Sequence, residues 1–246
     1  MKRFFLILLT VLSTVACKKV TPETRIAQIA DYLTTKEDGY AARLQQYDGD
    51  KRLDYLTLQL AKELGAAEIW TIEAAGENSL VAEFPGKEKE NRQMSVISAS
   101  LGDPAACAAV LEVLESFKSL KIYHKNDIRA VFYSNAQDST GFNGLAAINQ
   151  EMLEDGDFFV FEIELSSQSE LPRNTFIISD KPAFTQRMNE VISPYLTPIG
   201  AYQLKQGEYP DSQWPPKGPV YRYRVDKDNL QKDAAAVAAF TYLMNF

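Results

Sequence analysis

Residues 94–144 limit the folding options of this chain more than any other stretch. Met94-Ser-Val-Ile-Ser-Ala-Ser100 is a short apolar run with β-branched residues, the composition of a buried strand. Asp103-Pro104 follows, a helix N-cap with proline at the first helical position. Between Ala105 and Leu120, Val110, Leu111, Val113, Leu114 and Phe117 recur at helical spacing. Ile128-Arg-Ala-Val-Phe-Tyr-Ser134 is a second apolar strand, and Asp138 to Gly144 is rich in turn residues. Strand, helix and strand of this length predict a right-handed parallel βαβ unit. Ligands in open α/β sheets bind beyond the carboxyl ends of such strands. Chemistry is therefore expected around Ser100 to Asp103 and Ser134 to Asp138.

The flanking sequence extends the same pattern. Pro22 to Leu33 and Asp50 to Leu64 predict helices, the second ended by Gly65. Asp48-Gly49-Asp50 lacks the regular run of oxygen ligands that calcium needs and reads as a turn. Glu68 to Glu73 and Ser79 to Phe84 predict strands joined at Gly76. Leu145 to Leu153 predicts a short helix. Phe158-Phe-Val-Phe-Glu-Ile-Glu-Leu165 is the most apolar strand and is expected at the centre of the sheet. Asn174 to Ser179 predicts another strand, and Asp180-Lys-Pro opens a helix to about Ser193. Tyr221-Arg-Tyr-Arg-Val225 reads as an edge strand, and Asp226 to Asn245 as a closing helix.

The amino terminus carries a separate message. Met1-Lys-Arg and the apolar run Phe4 to Ala16 have the layout of a secretory signal, too short for a comfortable membrane span. Cys17 follows Val15-Ala16, which resembles the bacterial lipoprotein signal, with Thr14 where leucine is usual. This divides the chain into a signal peptide (1–16), a tether (17–24) and a single domain (25–246). It implies an exported protein of the bacterial cell envelope, lipid-anchored through Cys17. The formal charge of −7 falls further once Lys2 and Arg3 are lost. That balance argues against a nucleic-acid partner. Of two cysteines, Cys107 is left without a partner and reads as a small buried hydrophobe.

The order of these pieces resembles the di-zinc exopeptidase family of bacterial leucine aminopeptidases and glutaminyl cyclases. Asp54-Tyr-Leu-Thr-Leu-Gln-Leu-Ala-Lys-Glu-Leu-Gly65 is similar to its helix ending in Leu-Gly. Asn78-Ser-Leu-Val-Ala-Glu-Phe-Pro-Gly86 is similar to its Asn-Val-Ile-Ala-x-x-x-Gly strand. Ala106 to Val113 resembles Gly-Val-Ala-x-Leu-Leu-Glu, and Ile128 to Ser134 resembles Ile-Arg-Phe-Val-Phe-Phe-Gly. Val225 to Lys232 is similar to the segment opening the family's last helix. The resemblance spans about Ile26 to Phe246. It implies a three-layer α/β/α sandwich around a mixed, mostly parallel sheet (phosphorylase/hydrolase-like).

The same resemblance implies two zinc ions held by two histidines and several carboxylates, with a glutamate as general base. Carried over position by position, the first histidine falls at Ser100 and its following aspartate at Gly102. Asp103 alone remains near the bridging aspartate. The paired glutamates fall at Ala136 and Gln137, and the aspartate of the Asn-Leu-Asp strand falls at Glu164. The chain has one histidine, His124, in a loop before the second core strand. A two-histidine site cannot be assembled from it, and zinc held by carboxylates alone is weak. Other chemistries are poorly supplied: there is no Gly-x-Ser-x-Gly elbow and no phosphate-cradling glycine loop.

The expectation is a lost peptidase site: no catalytic residues, no metal, no cofactor. Ser100, Asp103, Gln137, Asp138 and Glu164 are the remnant cleft candidates. Trp214 and Tyr209, in Tyr209-Pro-Asp-Ser-Gln-Trp-Pro-Pro216, are candidates for ligand binding. The functional expectation is a binding module for a peptide or another envelope component. The alternatives are a hydrolase with a divergent single-metal site, which would keep zinc on Asp103 and Glu164, and a structural partner of another envelope protein. Replacing Cys17 with serine is expected to abolish labelling by a fatty-acid probe and release the protein from the membrane fraction. Unchanged labelling would remove Cys17 as the anchor.

Overall fold

The computed structural model describes residues 20–245, apart from 37–38, 89–92, 138, 140, 142, 155–157, 179–181, 200–202 and 208–218. The expected signal peptide, Cys17, Asp138, Tyr209 and Trp214 lie outside the described residues. Among the described residues no helix is long and apolar enough to cross a membrane.

Helix α1 (Pro22–Thr34) starts where Thr21 accepts a hydrogen bond from the Thr24 backbone, with proline in the first turn. It thus begins within the stretch expected to be tether. Helices α2 (Ala41–Leu44) and α3 (Gly49–Leu58) follow, and α3 runs on into a π turn, Gln59–Leu64. Gly65 ends that turn at φ 76°, a left-handed conformation suited to glycine. Strands β1 (Glu68–Ala74) and β2 (Glu77–Phe84) form a hairpin. The expected βαβ unit is present as β3 (Gln93–Ser100), α4 (Pro104–Ser119) and β4 (Asp127–Tyr133). Its strands are parallel, from Met94 opposite Asp127 to Ser100 opposite Tyr133. The remainder is α5 (Gly144–Glu154), β5 (Phe158–Ser166), β6 (Thr175–Ile178), α6 (Pro182–Leu196), β7 (Gln203–Gln206), β8 (Val220–Arg224) and α7 (Leu230–Met244).

The eight strands among the described residues join one sheet in the order β1-β2-β4-β3-β5-β8-β6-β7. Pairings β4–β3, β3–β5, β5–β8 and β6–β7 are parallel and the others antiparallel, so the sheet is mixed and mostly parallel. The large core lies on one face, where α1, α3, α4, α6 and α7 cover Ala82, Ile97, Ala130, Phe132, Phe161 and Ile163. A smaller core lies on the other, where Ile148 and Met152 of α5 cover Val81, Met94, Val96 and Val131. The architecture is the expected α/β/α sandwich.

One expectation is corrected. Strand β8 is not an edge strand, because it pairs with β5 on one side and β6 on the other. Its alternation explains both readings. Val220, Tyr221 and Tyr223 are buried, and Tyr221 and Tyr223 pack among Phe161, Phe176 and Phe240. Arg222, which resembles an edge charge in the sequence, instead donates to Glu164 of β5 at 3.0 Å.

Helix α4 is apolar on nearly every side and is buried from Ala105 to Leu114. Glu112 is the exception, a carboxylate with no side-chain exposure. Lys36 Nζ approaches Glu112 Oε2 at 2.7 Å, and the Tyr40 backbone N–H donates to Oε1 at 3.0 Å. Removing one partner of a buried pair strands the other charge. Lys36→Met is therefore expected to cost about 3 kcal/mol in a urea titration at pH 7. Adding Glu112→Leu should restore part of that loss. Full retention of stability in Lys36→Met would show that Glu112 does not depend on the lysine.

Candidate functional site at the carboxyl edge of the sheet

Strands β3 and β4 end side by side, and their carboxyl ends form one wall of a cavity of about 630 Å³. Leu101, Gly102, Ser134, Asn135 and Ala136 supply that wall. Gly49, Asp50 and Arg52 at the start of α3, with Gly76, Glu77 and Asn78 of the β1–β2 turn, close the other sides. The position is the one that parallel strands predict for a ligand, and the volume falls in the usual range of roughly 300–1,000 Å³ for small-molecule sites.

The wall is held by hydrogen bonds. Asn135 Nδ2 donates to Ser100 Oγ at 2.7 Å, and the Gly102 N–H donates to the same oxygen at 3.1 Å. The Ser134 hydroxyl donates to Glu77 and accepts from the Ala136 N–H at 3.0 Å. Arg52 donates through its guanidinium to the carbonyls of Leu101 and Tyr47, tying α3 to the end of β3.

The expected site residues are dispersed among these bonds. Ser100 is buried behind the cavity wall and held by Asn135. Asp103 caps α4 by accepting from the Ala106 N–H at 3.1 Å. Its carboxylate also accepts from the Ser167 N–H at 2.6 Å and the Ser167 hydroxyl at 2.7 Å. Glu164 accepts from the Tyr133 hydroxyl at 3.0 Å and from Arg222 Nε at 3.0 Å. Gln137 is exposed. Cys107 is buried, and its thiol donates to the Ser100 carbonyl at 3.2 Å. Burial raises its pKa well above the ordinary thiol range. His124 sits at the opposite end of β4, with Nδ1 2.6 Å from the Asn126 carbonyl. Burial lowers its pKa.

One carboxylate was not singled out from the sequence. Glu162 lies two residues before Glu164 on the same side of β5, is 3% exposed, and accepts from Ser98 Oγ at 2.9 Å. Burial, with the neighbouring Glu164 charge added, pushes its pKa up to about 7. The signal was the alternation Phe161-Glu-Ile-Glu-Leu165, which puts both glutamates on one face of a central strand.

The fold is that of the zinc exopeptidases, and the domain is aminopeptidase-like in architecture. A candidate Zn-dependent exopeptidase from Bacteroides vulgatus superposes with a TM-score of 0.61 at 14% identity, over 88% of this chain and 96% of that one. The LapA aminopeptidase of Legionella pneumophila matches at 0.57 and 14% identity, over 93% and 73%. The Bacteroides thetaiotaomicron glutaminyl cyclase, solved with N-acetylhistamine bound, matches at 0.58 and 13% identity, over 87% and 97%. No protein-family model matches the chain, and no curated protein sequence matches it.

Among the described residues, the donor set at this edge does not fit a pair of zinc ions. Both Asp103 oxygens are taken by backbone N–H groups and the Ser167 hydroxyl. Both Glu164 oxygens are taken by Tyr133 and Arg222. The histidine is at the far end of β4. Among the described residues no three His, Cys, Asp or Glu side chains are grouped closely enough to hold a metal ion.

Glu162 is expected to make the domain's stability sensitive to pH. Its folded pKa lies above the ordinary glutamate value of 4.5, so the folded state holds its proton more tightly than the unfolded state does. The stability it contributes is complete below pH 4.5 and is lost as pH rises through about 7. Glu162→Gln is expected to flatten the fall in Tm between those values and to raise Tm at pH 8. The rise should amount to about 3 °C for each kcal/mol recovered. An unchanged slope in the variant would show that another group titrates there.

Proposed function

We propose that this domain is a non-catalytic binding module that holds a peptide or another envelope component in the cleft at the carboxyl ends of β3 and β4. The supporting observation is the fate of the oxygens at the family's metal positions. Asp103 is consumed in capping α4 and securing Ser167, and Glu164 in pairing with Arg222 and Tyr133. Carboxylates committed to a guanidinium and to backbone N–H groups serve the fold, and would have to give up those partners to ligate a metal. The neighbouring cavity keeps a polar lining of Asp50, Glu77, Asn78 and Asn135. Such groups can bond the N–H and C=O groups of an extended chain.

In this reading the module stands on the cell envelope, anchored to lipid through Cys17, and works by presenting or retaining its ligand. It needs no cofactor. The test is zinc affinity and content by calorimetry and elemental analysis, with aminopeptidase activity assayed on the same zinc-supplemented protein. The expected outcome is sub-stoichiometric zinc and no turnover. Stoichiometric zinc at micromolar affinity or tighter, with peptide hydrolysis lost in Asp103→Asn and Glu164→Gln, would replace the binding reading with a divergent hydrolase.

A further inference from the structure

The outer helical layer contains a second cavity, of about 490 Å³, formed where α2, the π turn after α3 and α4 meet. Its floor is an internally neutralised cluster. Lys36 Nζ lies between Glu112 Oε2 and Glu115 Oε2, at 2.7 and 2.6 Å, and 4.6 Å from the centre of the Tyr40 ring. The Tyr32 hydroxyl donates to Glu115 at 2.9 Å. The floor groups thus satisfy one another.

The walls do not. Gln59 lines the cavity and is 8% exposed, yet its carboxamide bonds to no described residue. The Tyr55 hydroxyl is also buried, and the Arg43 guanidinium lies beside it without a hydrogen bond of ordinary geometry. A buried polar group left unpaired costs about 1–3 kcal/mol; the Tyr55 hydroxyl is such a group, and the Gln59 carboxamide beside it opens into the cavity, so both stand where a ligand can bond them. Arg43 and Glu63 line the same cavity, and neither forms an ion pair with a described side chain. Local geometry supports the same reading. A π turn is rare and gathers at functional sites, and here it carries both Gln59 and Glu63.

We propose that this cavity binds a small zwitterion of the amino-acid type. Arg43 takes the carboxylate and Glu63 the ammonium. The Gln59 carboxamide, both donor and acceptor, and the Tyr55 hydroxyl bond the polar atoms between them. The rings of Tyr40 and Tyr55 give the side chain an apolar surface. Opposite charges at the rim and unpaired neutral groups within select a ligand carrying both charges over a simple anion or amine. The site is separate from the cleft at the carboxyl edge of the sheet and stands whether or not that cleft binds peptide.

The test is calorimetric titration of the whole chain with glycine, L-leucine, L-phenylalanine, L-glutamate, L-lysine and glycylglycine. Acetate and ethylamine serve as single-charge probes. At least one zwitterion is expected to bind saturably. Exposed Arg43→Gln, checked for unchanged Tm, should weaken it about tenfold or more, and Gln59→Leu should do the same. The cleft variant Asn135→Ala should leave affinity unchanged. No saturable zwitterion, equal affinity for acetate or ethylamine, or affinity intact in both Arg43→Gln and Gln59→Leu would each overturn the proposal. Loss confined to Asn135→Ala would move the binding to the cleft and overturn it too.

Discussion

The structure depends on the burial of α4. This helix lies between the sheet and the outer helices, and its small residues Ala105, Ala106, Ala108 and Ala109 are all fully or almost fully buried. Helix α7 packs against it and has its own run of buried alanines from Ala234 to Ala239, while α1 packs on α7. Small side chains bring helices close together and leave little room for a polar group. Glu112 sits inside this arrangement, so the loop after α1 must deliver Lys36 and the start of α2 must present the Tyr40 N–H. One charge in a dry helix thereby ties two other segments of the outer layer to α4.

The carboxyl edge follows a related logic. The zinc exopeptidase fold brings strand ends together where polar side chains can converge, and in this chain those side chains bond one another. Asp103 joins the start of α4 to Ser167 beyond β5, Asn135 joins the end of β4 to Ser100 of β3, and Glu164 joins β5 to both β4 and β8. Each bond crosses between neighbouring elements. Neutral and charge-assisted hydrogen bonds hold this edge together.

The fold was legible because its signals are local. The Asp103-Pro104 cap, the helical period to Phe117 and the two flanking apolar runs each needed only nearby residues to be read. The likeness to the exopeptidases rested on the order of such pieces, and the superpositions carry the same fold. The partners at the cleft were harder to see. Ser167 lies 64 residues from Asp103, and Asn135 lies 35 from Ser100, so no periodic pattern links them. Strand β8 misled because alternating arginines suit a wet edge as well as they suit a face lined with glutamates. Glu162 was hidden in the most apolar strand, where hydrophobicity drew attention to the residues on either side of it. The cavity of the outer layer needed a π turn, which shifts side chains by one position and has no signature in a 3.6-residue period.

The interior place of β8 also makes it the keystone of one half of the sheet. Strands β6 and β7 pair with each other, but their link to the rest of the sheet runs through β8, which comes after both in the chain. The β3-α4-β4 unit can close from contacts near in sequence, and β5 can join it directly. The β6–β7 pair reaches the rest of the sheet only through β8. Closing that long loop costs entropy before any pairing repays it. The sheet therefore divides into a half closed by contacts near in sequence and a half joined through β8 alone, and any chain lacking β8 would present the bare edge of β5 to another strand.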